Sequence, residues 1–146
     1  MGLENTVRDI RDALKARLET IKADLGIKEV FQMHPDLPVE RLPHCALDLE
    51  SLDCIRLTSH TKQLQLVFII GYYASDINHT RLETTLLQAA DSIMKTLEED
   101  PSLGGKVASI DWPISARKVV QPMVGEGKFL HGVEIRVKYL TGPLTI

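Results

Sequence analysis

The chain of 146 residues has the length of one domain and an ordinary globular composition, with 44% hydrophobic and 25% charged residues. Its 17 basic and 20 acidic residues give a net charge of −3, which excludes a general field that would attract nucleic acid or anionic membranes. The longest purely apolar run, residues 66–70, is far shorter than the roughly 20 residues of a membrane-spanning helix. We therefore expect one domain over residues 1–146 and no membrane segment.

Apolar residues at spacings of three and four predict an amphipathic helix near the start of the chain. The stripe would span about six turns, and Gly26 stands where a left-handed cap residue is expected. A short candidate strand, IKEVF, follows, and three prolines in residues 33–43 then predict an extended connection. The stripe consists of Leu3, Val7, Ile10, Leu14, Leu18, Ile21 and Leu25.

Two strands are predicted next, and the second has an unusual pattern. HCALDLES, residues 44–51, alternates between apolar and polar positions and is typical of a strand buried on one face. QLQLVFIIGYYAS, residues 63–75, begins with the same alternation, but Val67, Ile69 and Tyr73 make its second half apolar on both faces. Two explanations are open: long connections of the chain cover the second face, or another subunit does.

The second half of the chain predicts one helix, two strands and a long loop. Asn78 or Asp76 caps the helix, and EEDPSLGG ends it. Two strands follow: KVASIDW, whose apolar face would consist of Ala108, Ile110 and Trp112, and LHGVEIRVKYL, which alternates between apolar and charged residues. Residues 113–128 between these strands show no sustained periodicity and predict a loop of a length that is usually functional or disordered in a compact domain. The apolar stripe of the helix consists of Leu82, Leu86, Ala89, Ile93 and Leu97.

These elements predict an α+β fold: a mainly antiparallel sheet of four to five strands with two helices packed on one face.

The sequence predicts no catalytic residue, no metal and no cofactor. The five histidines and two cysteines do not have the spacing of zinc ligands. We interpret Cys45 and Cys54 as reduced thiols. Asp48 and Glu50 share one strand face, where a solvated acidic surface is favoured over a catalytic carboxylate pair.

The layout resembles the tail terminator, or tail-completion, proteins of long-tailed bacteriophages. The resemblance covers nearly the whole chain as an order of elements: the helix ending at DLGIKEVF, the proline-rich segment running into LPHCALDLES, the strand QLQLVFIIGYY and the capped helix closing in LEEDPSLGGKVASIDW. The most specific part is the L-x-x-D-P-x-L-G-G-x-V turn from Leu97 to Val107, followed by the alternating strand that ends near Tyr139.

Membership of this family would imply an α+β protein without catalytic activity that forms a ring of six at the end of the tail tube. The ring would stop tube growth and present the surface that joins the head. Its partners would be the tail tube protein and a head-completion or connector protein, with DNA passing through without sequence-specific binding. The protein would be assembled in the host cytoplasm and reside in the tail or neck of the virion.

The resemblance also implies roles for particular residues. Val67, Ile69 and Tyr73 would lie at or near a subunit boundary. The predicted loop would contact a neighbouring subunit or line the channel, and its candidate residues are Arg117, Lys118, Val119, Val120 and Met123.

Two alternative functions stay open at this point. The nearest is a head-completion or neck connector protein, which would share the compact α+β appearance. The other belongs to a different class: a small cytoplasmic ligand-binding domain or enzyme, with a pocket under residues 113–128 and His131 or Asp111 at its edge.

Overall fold

The computed structural model of the chain describes residues 2–31, 43–74, 78–122 and 129–145, which contain two helices and seven strands. The helices pack against a single sheet, as predicted for an α+β fold. In chain order the elements are α1 (Leu3–Glu19), β1 (Glu29–Phe31), β2 (His44–Arg56), β3 (Thr61–Ala74), α2 (His79–Glu99), β4 (Ser109–Ile110), β5 (Ser115–Pro122), β6 (Phe129–Leu140) and β7 (Leu144–Thr145).

The sheet is built around β3, which pairs with β2 on one side and with β6 on the other. The strand order is β1-β2-β3-β6-β4, while β5 also pairs with β6 and β7 pairs with β3. The β1–β2 pair is parallel and the other pairs are antiparallel, which confirms a mainly antiparallel sheet. The prediction of four to five strands was too low, because β5 and β7 were not recognised as strands.

Both helices bury their apolar stripes on the same face of this sheet. Ile10, Leu14 and Leu18 of α1 are fully buried, and they join one core cluster with the α2 stripe and with alternate residues of β3 and β6. Burying a large aliphatic side chain stabilises the fold by about 1.5–3 kcal/mol, so this apolar layer contributes strongly to stability. We call this face the helix side and the opposite face the outer face.

The first helix is shorter than its apolar stripe. α1 ends at Glu19, and the N–H groups from Thr20 to Lys22 bond to carbonyl groups three residues back, which tightens the backbone into turns. These turns close at Gly26, whose φ of 64° is left-handed, and Ile27 N–H bonds to the Lys22 carbonyl at 2.9 Å. The predicted glycine cap is thus confirmed, while the prediction of six continuous helical turns is wrong.

The second helix agrees closely with its prediction. Asn78 is its N-cap, and the side-chain oxygen of Asn78 accepts a hydrogen bond from the Arg81 backbone N–H at 3.0 Å. All five predicted stripe residues are buried against the sheet. Capping at the start and burial along one face therefore fix this helix over β3 and β6.

A β-bulge at Glu50 divides β2 into two parts. The register with β3 shifts between Leu49 and Ser51, so Glu50 is the extra residue and the alternation of side chains reverses there. As a result Leu49 and Leu52 both pack against the core. Beyond the bulge β2 continues to Arg56 as half of a long hairpin with β3, a region for which the sequence predicted no conformation.

The predicted strand KVASIDW is mostly irregular. Only Ser109 and Ile110 form β4, and Ile110 alone of the predicted apolar face is buried. Ala108 and Trp112 are exposed, so the expected alternation is wrong there. The predicted alternation of β6 is confirmed, since Val133, Ile135, Val137 and Tyr139 are buried.

Candidate functional site

The outer face of β3 is covered by the ring of Tyr73. Tyr73 pairs in register with Gly132 of β6, and Gly71 precedes it by two positions on the same face. A Cβ atom at Gly71 would lie 2.5 Å from the Tyr73 hydroxyl oxygen, and one at Gly132 would overlap the ring. The ring therefore lies across two positions without side chains and is only 1% exposed. Aromatic rings are known to cover sheet glycines in this way.

Polar contacts hold this ring in place. The Tyr73 hydroxyl donates a hydrogen bond to Oε2 of Glu134 at 3.2 Å, and the ring of His44 lies beside it with a centroid distance of 5.3 Å. Burial, and then the Glu134 carboxylate, raise the pKa of Tyr73 above its ordinary value. The hydroxyl consequently stays neutral and remains a hydrogen-bond donor at physiological pH.

Ion pairs continue the cover beyond Tyr73. Nε and Nη2 of Arg117 donate to Oε1 of Glu134 at 3.1 and 2.8 Å, so one carboxylate is shared by Arg117 and Tyr73. The hydrogen bond to Glu134 raises the pKa of Arg117. Nε of Arg136 donates to Oε2 of the bulge residue Glu50 at 3.2 Å. The side chains of β2, β5 and β6 are thus tied together across the outer face.

These groups surround a concavity of about 510 Å³ on the outer face. Ile69 forms part of its apolar floor, and Asp48 and Glu50 both line it. The sequence placed these two carboxylates on one face, and the structure agrees, but Glu50 is engaged by Arg136. Two of the carboxylates that line the concavity, Glu50 and Glu134, are therefore paired with arginines.

The predicted boundary residues have different environments. Val67 and Tyr73 are 2% and 1% exposed, so the chain itself buries both of them, while Ile69 is half-buried. Their cover consists of side chains of the sheet, and residues 113–128, expected as a covering loop, contribute through β5. A role of these residues in subunit contacts stays a prediction.

Half of the predicted loop is a strand. Residues 115–122 form β5, which runs antiparallel to β6 from Ser115 opposite Arg136 to Pro122 opposite Phe129. The register places Arg117 and Val119 on the outer face and Lys118 and Val120 on the helix side. The adjacent β-branched residues Val119 and Val120 were the signal that sequence reasoning missed. Met123 lies outside the described residues.

An apolar groove lies between α2 and β5. Helix α2 covers β3 and β6 but leaves the helix side of β5 open, and the resulting cavity measures about 350 Å³. Leu87 on its rim is 63% exposed and Val120 of β5 is 51% exposed, both high values for large apolar residues. We call this cavity the groove; its lining includes Leu86, Leu87 and Met94 of α2, Ala116 and Lys118 of β5, and Val133 of β6.

A second apolar surface lies at the tip of the β2–β3 hairpin. We define the arm as residues 53–62, which are exposed or half-buried. Ile55 is 40% and Leu57 46% exposed. Thr58 and Thr61 fix the turn, because their hydroxyl groups bond to each other at 2.7 Å and the Leu57 N–H bonds to the Thr61 carbonyl at 3.0 Å. The arm is thus an ordered projection with an apolar tip.

The residues considered for metal binding or a ligand pocket lie apart from one another in the described parts of the chain. No group of three His, Cys, Asp or Glu residues there has the arrangement of a metal site. Asp111 accepts a hydrogen bond from Gln65 and pairs with Lys138, near the far end of β6 from His131. Seven strand positions separate Lys138 from His131, roughly 23 Å at the usual rise, so His131 and Asp111, the alternatives for the edge of a ligand pocket, lie in different regions of the sheet.

Both cysteines are free thiols, as predicted. Cys45 is buried in the core, and this burial, together with the Glu19 carboxylate, raises the pKa of its thiol to about 12. Cys54 is exposed on the arm.

Sequence comparisons indicate no family for this chain, so its function is argued from the geometry. No protein-family model matches the sequence, and no curated protein sequence is similar to it. In the part of the chain that the structure describes, neither helix is long and apolar enough to cross a membrane.

Proposed function

We propose that this protein is a structural component of a bacteriophage virion that forms a ring, of six subunits, at the end of the tail tube. The observation that carries the proposal is the presence of two different apolar surfaces on one chain, the arm and the groove. Exposed apolar surfaces of this kind are typical of sites where proteins bind one another.

Two unlike surfaces favour a ring over a twofold dimer. In a twofold dimer the same patch meets itself, whereas a head-to-tail contact joins one patch to a different patch of the next copy. Head-to-tail contacts generate closed rings when the rotation between neighbours returns to its start. A chain that carries an apolar projection and a separate apolar groove fits the second arrangement.

The order of elements supports the tail position of this ring. An N-terminal helix, a long hairpin, a capped helix that ends in DPSLGG, and a final alternating strand reproduce the layout that resembles tail terminators. In that role the ring binds the last layer of tail tube protein, ends tube growth and offers its other side to a head-completion or connector protein. DNA passes through its centre without base-specific contacts.

Molar mass measured by light scattering after size exclusion tests the ring directly. We expect a species of six times the 16.3 kDa chain mass, and a ring with a central hole in electron micrographs of the same fraction. The concentration should be varied over two decades, with and without magnesium. A strict monomer throughout would contradict the ring.

A genetic experiment tests the tail role separately. Deleting the gene from the phage genome that encodes it should give filled heads without tails and tail tubes of excessive length. Supplying the protein from a plasmid should restore joined particles. Tubes of normal length in the deletion would contradict a terminator function even if the protein is a ring.

A further inference from the structure

We infer that the arm of one copy binds in the groove of the next copy, and that this contact closes the ring. The inference rests on the proposed function, because it names the two surfaces through which the subunits would assemble. It is carried by the apolar character of both surfaces and by the distribution of charge around each of them.

The apolar residues of the two surfaces are suited to each other. Ile55 and Leu57 are exposed near the tip of the arm, and the groove presents Ala116 on its β5 wall and Leu87 on its α2 wall, above a floor formed by Val133. Residues 53–56 extend for roughly 13 Å as a strand, which is more than the width of one helix. The arm is therefore long enough to lie along the groove beside α2 of a neighbouring copy.

The helix side of the arm is basic. Arg56 and Lys62 are opposite each other in the β2–β3 register, so two positive charges lie on the same rung. Like charges directly opposite in a hairpin are destabilising, and neither side chain makes an ion pair within the described residues. A partner surface with negative charge would remove this repulsion.

The α2 wall of the groove supplies that negative charge. Glu83 and Asp91 lie four residues before and after Leu87, which places them on the same helix face, one turn to each side. Neither carboxylate is paired in the ranges that the structure describes. The most exposed leucine of α2 is thus flanked by two carboxylates that are free to receive Arg56 and Lys62.

The opposite wall of the groove has the opposite charge. Lys118 of β5 lines the groove, and Asp53 lies on the outer face of the arm, away from Arg56. An arm with its basic side toward α2 directs Asp53 and Ile55, which share the outer face of the arm, toward β5, where Ala116 also lines the groove. Both sides of the inserted hairpin then meet opposite charge, which fixes one orientation of the arm and thereby one direction around the ring.

Charge reversal tests this contact by light scattering. Arg56→Glu should raise the concentration at which the assembly dissociates at least tenfold, because a carboxylate would face Glu83 and Asp91. A second reversal in the same chain, Glu83→Arg or Asp91→Arg, should restore assembly. Arg8→Glu on α1, where Arg8 bonds to Asn5 one turn away, is the matched control and should assemble like the parent.

Disulfide trapping tests the same contact by geometry. The native Cys54 on the arm should form intermolecular disulfides with a cysteine placed on the groove wall by Leu87→Cys or Asp91→Cys, under mild oxidation with oxidised glutathione. Non-reducing gels should then show a ladder of covalent oligomers. The same variants with Cys54→Ser should show none, since Cys45 is buried.

The results separate this inference from the proposed ring. A six-subunit parent whose Arg56→Glu variant assembles normally and whose cysteine variants give no ladder would retain the ring and overturn the arm-and-groove contact. A monomeric parent would overturn both. Loss of assembly in Arg56→Glu, restoration by the second reversal and a Cys54-dependent ladder would establish the contact.

Discussion

The two faces of the central strand β3 are protected from water by different means. On the helix side Leu66, Phe68 and Ile70 lie beneath two helices, which is the usual second layer of an α+β fold. On the outer face no helix is present among the described elements, and Tyr73 instead lies across two glycines while ion pairs extend the cover. A single well-placed aromatic side chain therefore replaces part of a structural layer.

The helices cover the apolar face on the helix side only in part. α2 reaches β3 and β6 but not β5, so the groove beside β5 remains open although it belongs to the apolar face. The outer face, which the sequence marked as a candidate interface, is closed by the chain itself at Val67 and Tyr73. The part of the sheet's apolar face that remains open is thus at the edge of the helix side.

Removal of the Tyr73 ring should have the largest effect on stability. Tyr73→Ala is expected to lower the free energy of unfolding by about 3–5 kcal/mol, the usual cost of truncating a buried aromatic residue. Tyr73→Phe keeps the ring and loses one hydrogen bond, so about 0.5–1.5 kcal/mol is expected. Urea denaturation measures both. Equal losses for the two variants would show that the hydroxyl, and not the ring, secures the outer face.

Filling the space beneath the ring should be the next largest perturbation. Gly132→Ala places a methyl group against the Tyr73 ring and 2.8 Å from the Tyr72 carbonyl oxygen, and we expect a loss of about 1–3 kcal/mol from overpacking. Gly142→Ala is the matched control, since no atom lies within 4 Å of a Cβ there. Similar unfolding midpoints for the two variants would contradict the close packing of Tyr73 on Gly132.

The helix side should show its own dependence on pH through Cys45. The thiol pKa is raised from 9.0 to about 12, so its stabilising effect is complete below pH 9 and is lost as the pH rises toward 12. Between pH 9 and 10 the free energy of unfolding should fall by about 1 kcal/mol through this group. Cys45→Ala should flatten this decline, whereas Cys54→Ala on the arm should retain it.

The smallest effect on stability should come from the groove. Leu87→Ser removes an exposed side chain, and we expect a change within about 0.5 kcal/mol, while the neighbouring Leu86→Ala should cost about 2–5 kcal/mol because Leu86 is buried. Thermal unfolding of the two variants measures the contrast. A large loss of stability for Leu87→Ser would show that the groove serves packing within the chain.

Local patterns in the sequence were sufficient for the regular elements. The stripe of α2, its cap at Asn78 and the alternation of β6 are confirmed, because each is determined by residues three to four or two positions apart. The prediction failed at α1 beyond Glu19, where tighter turns continue the apolar stripe without an α-helix. It failed again at β5, whose charged residues Arg117 and Lys118 obscure the alternation.

The candidate site was predicted only in part. The sequence singled out residues of β3 and of the 113–128 segment, and both regions border the surfaces described above. It did not indicate that Tyr73 would cover Gly132, since these residues are 59 positions apart and meet only through strand pairing. Nor did it mark Leu87, whose exposure depends on how far α2 reaches across the sheet.

By itself the sequence determined the periodicities, and these fixed the fold class, the buried stripe of α2, the part of the α1 stripe from Ile10 to Leu18 and the doubly apolar half of β3, whereas Leu3 at the start of the α1 stripe is exposed. The tertiary structure decided what covers each apolar surface and which surface remains open. The physical reason is that periodicity records only which side of an element avoids water, whereas the cover comes from residues distant in sequence that the sheet register brings together.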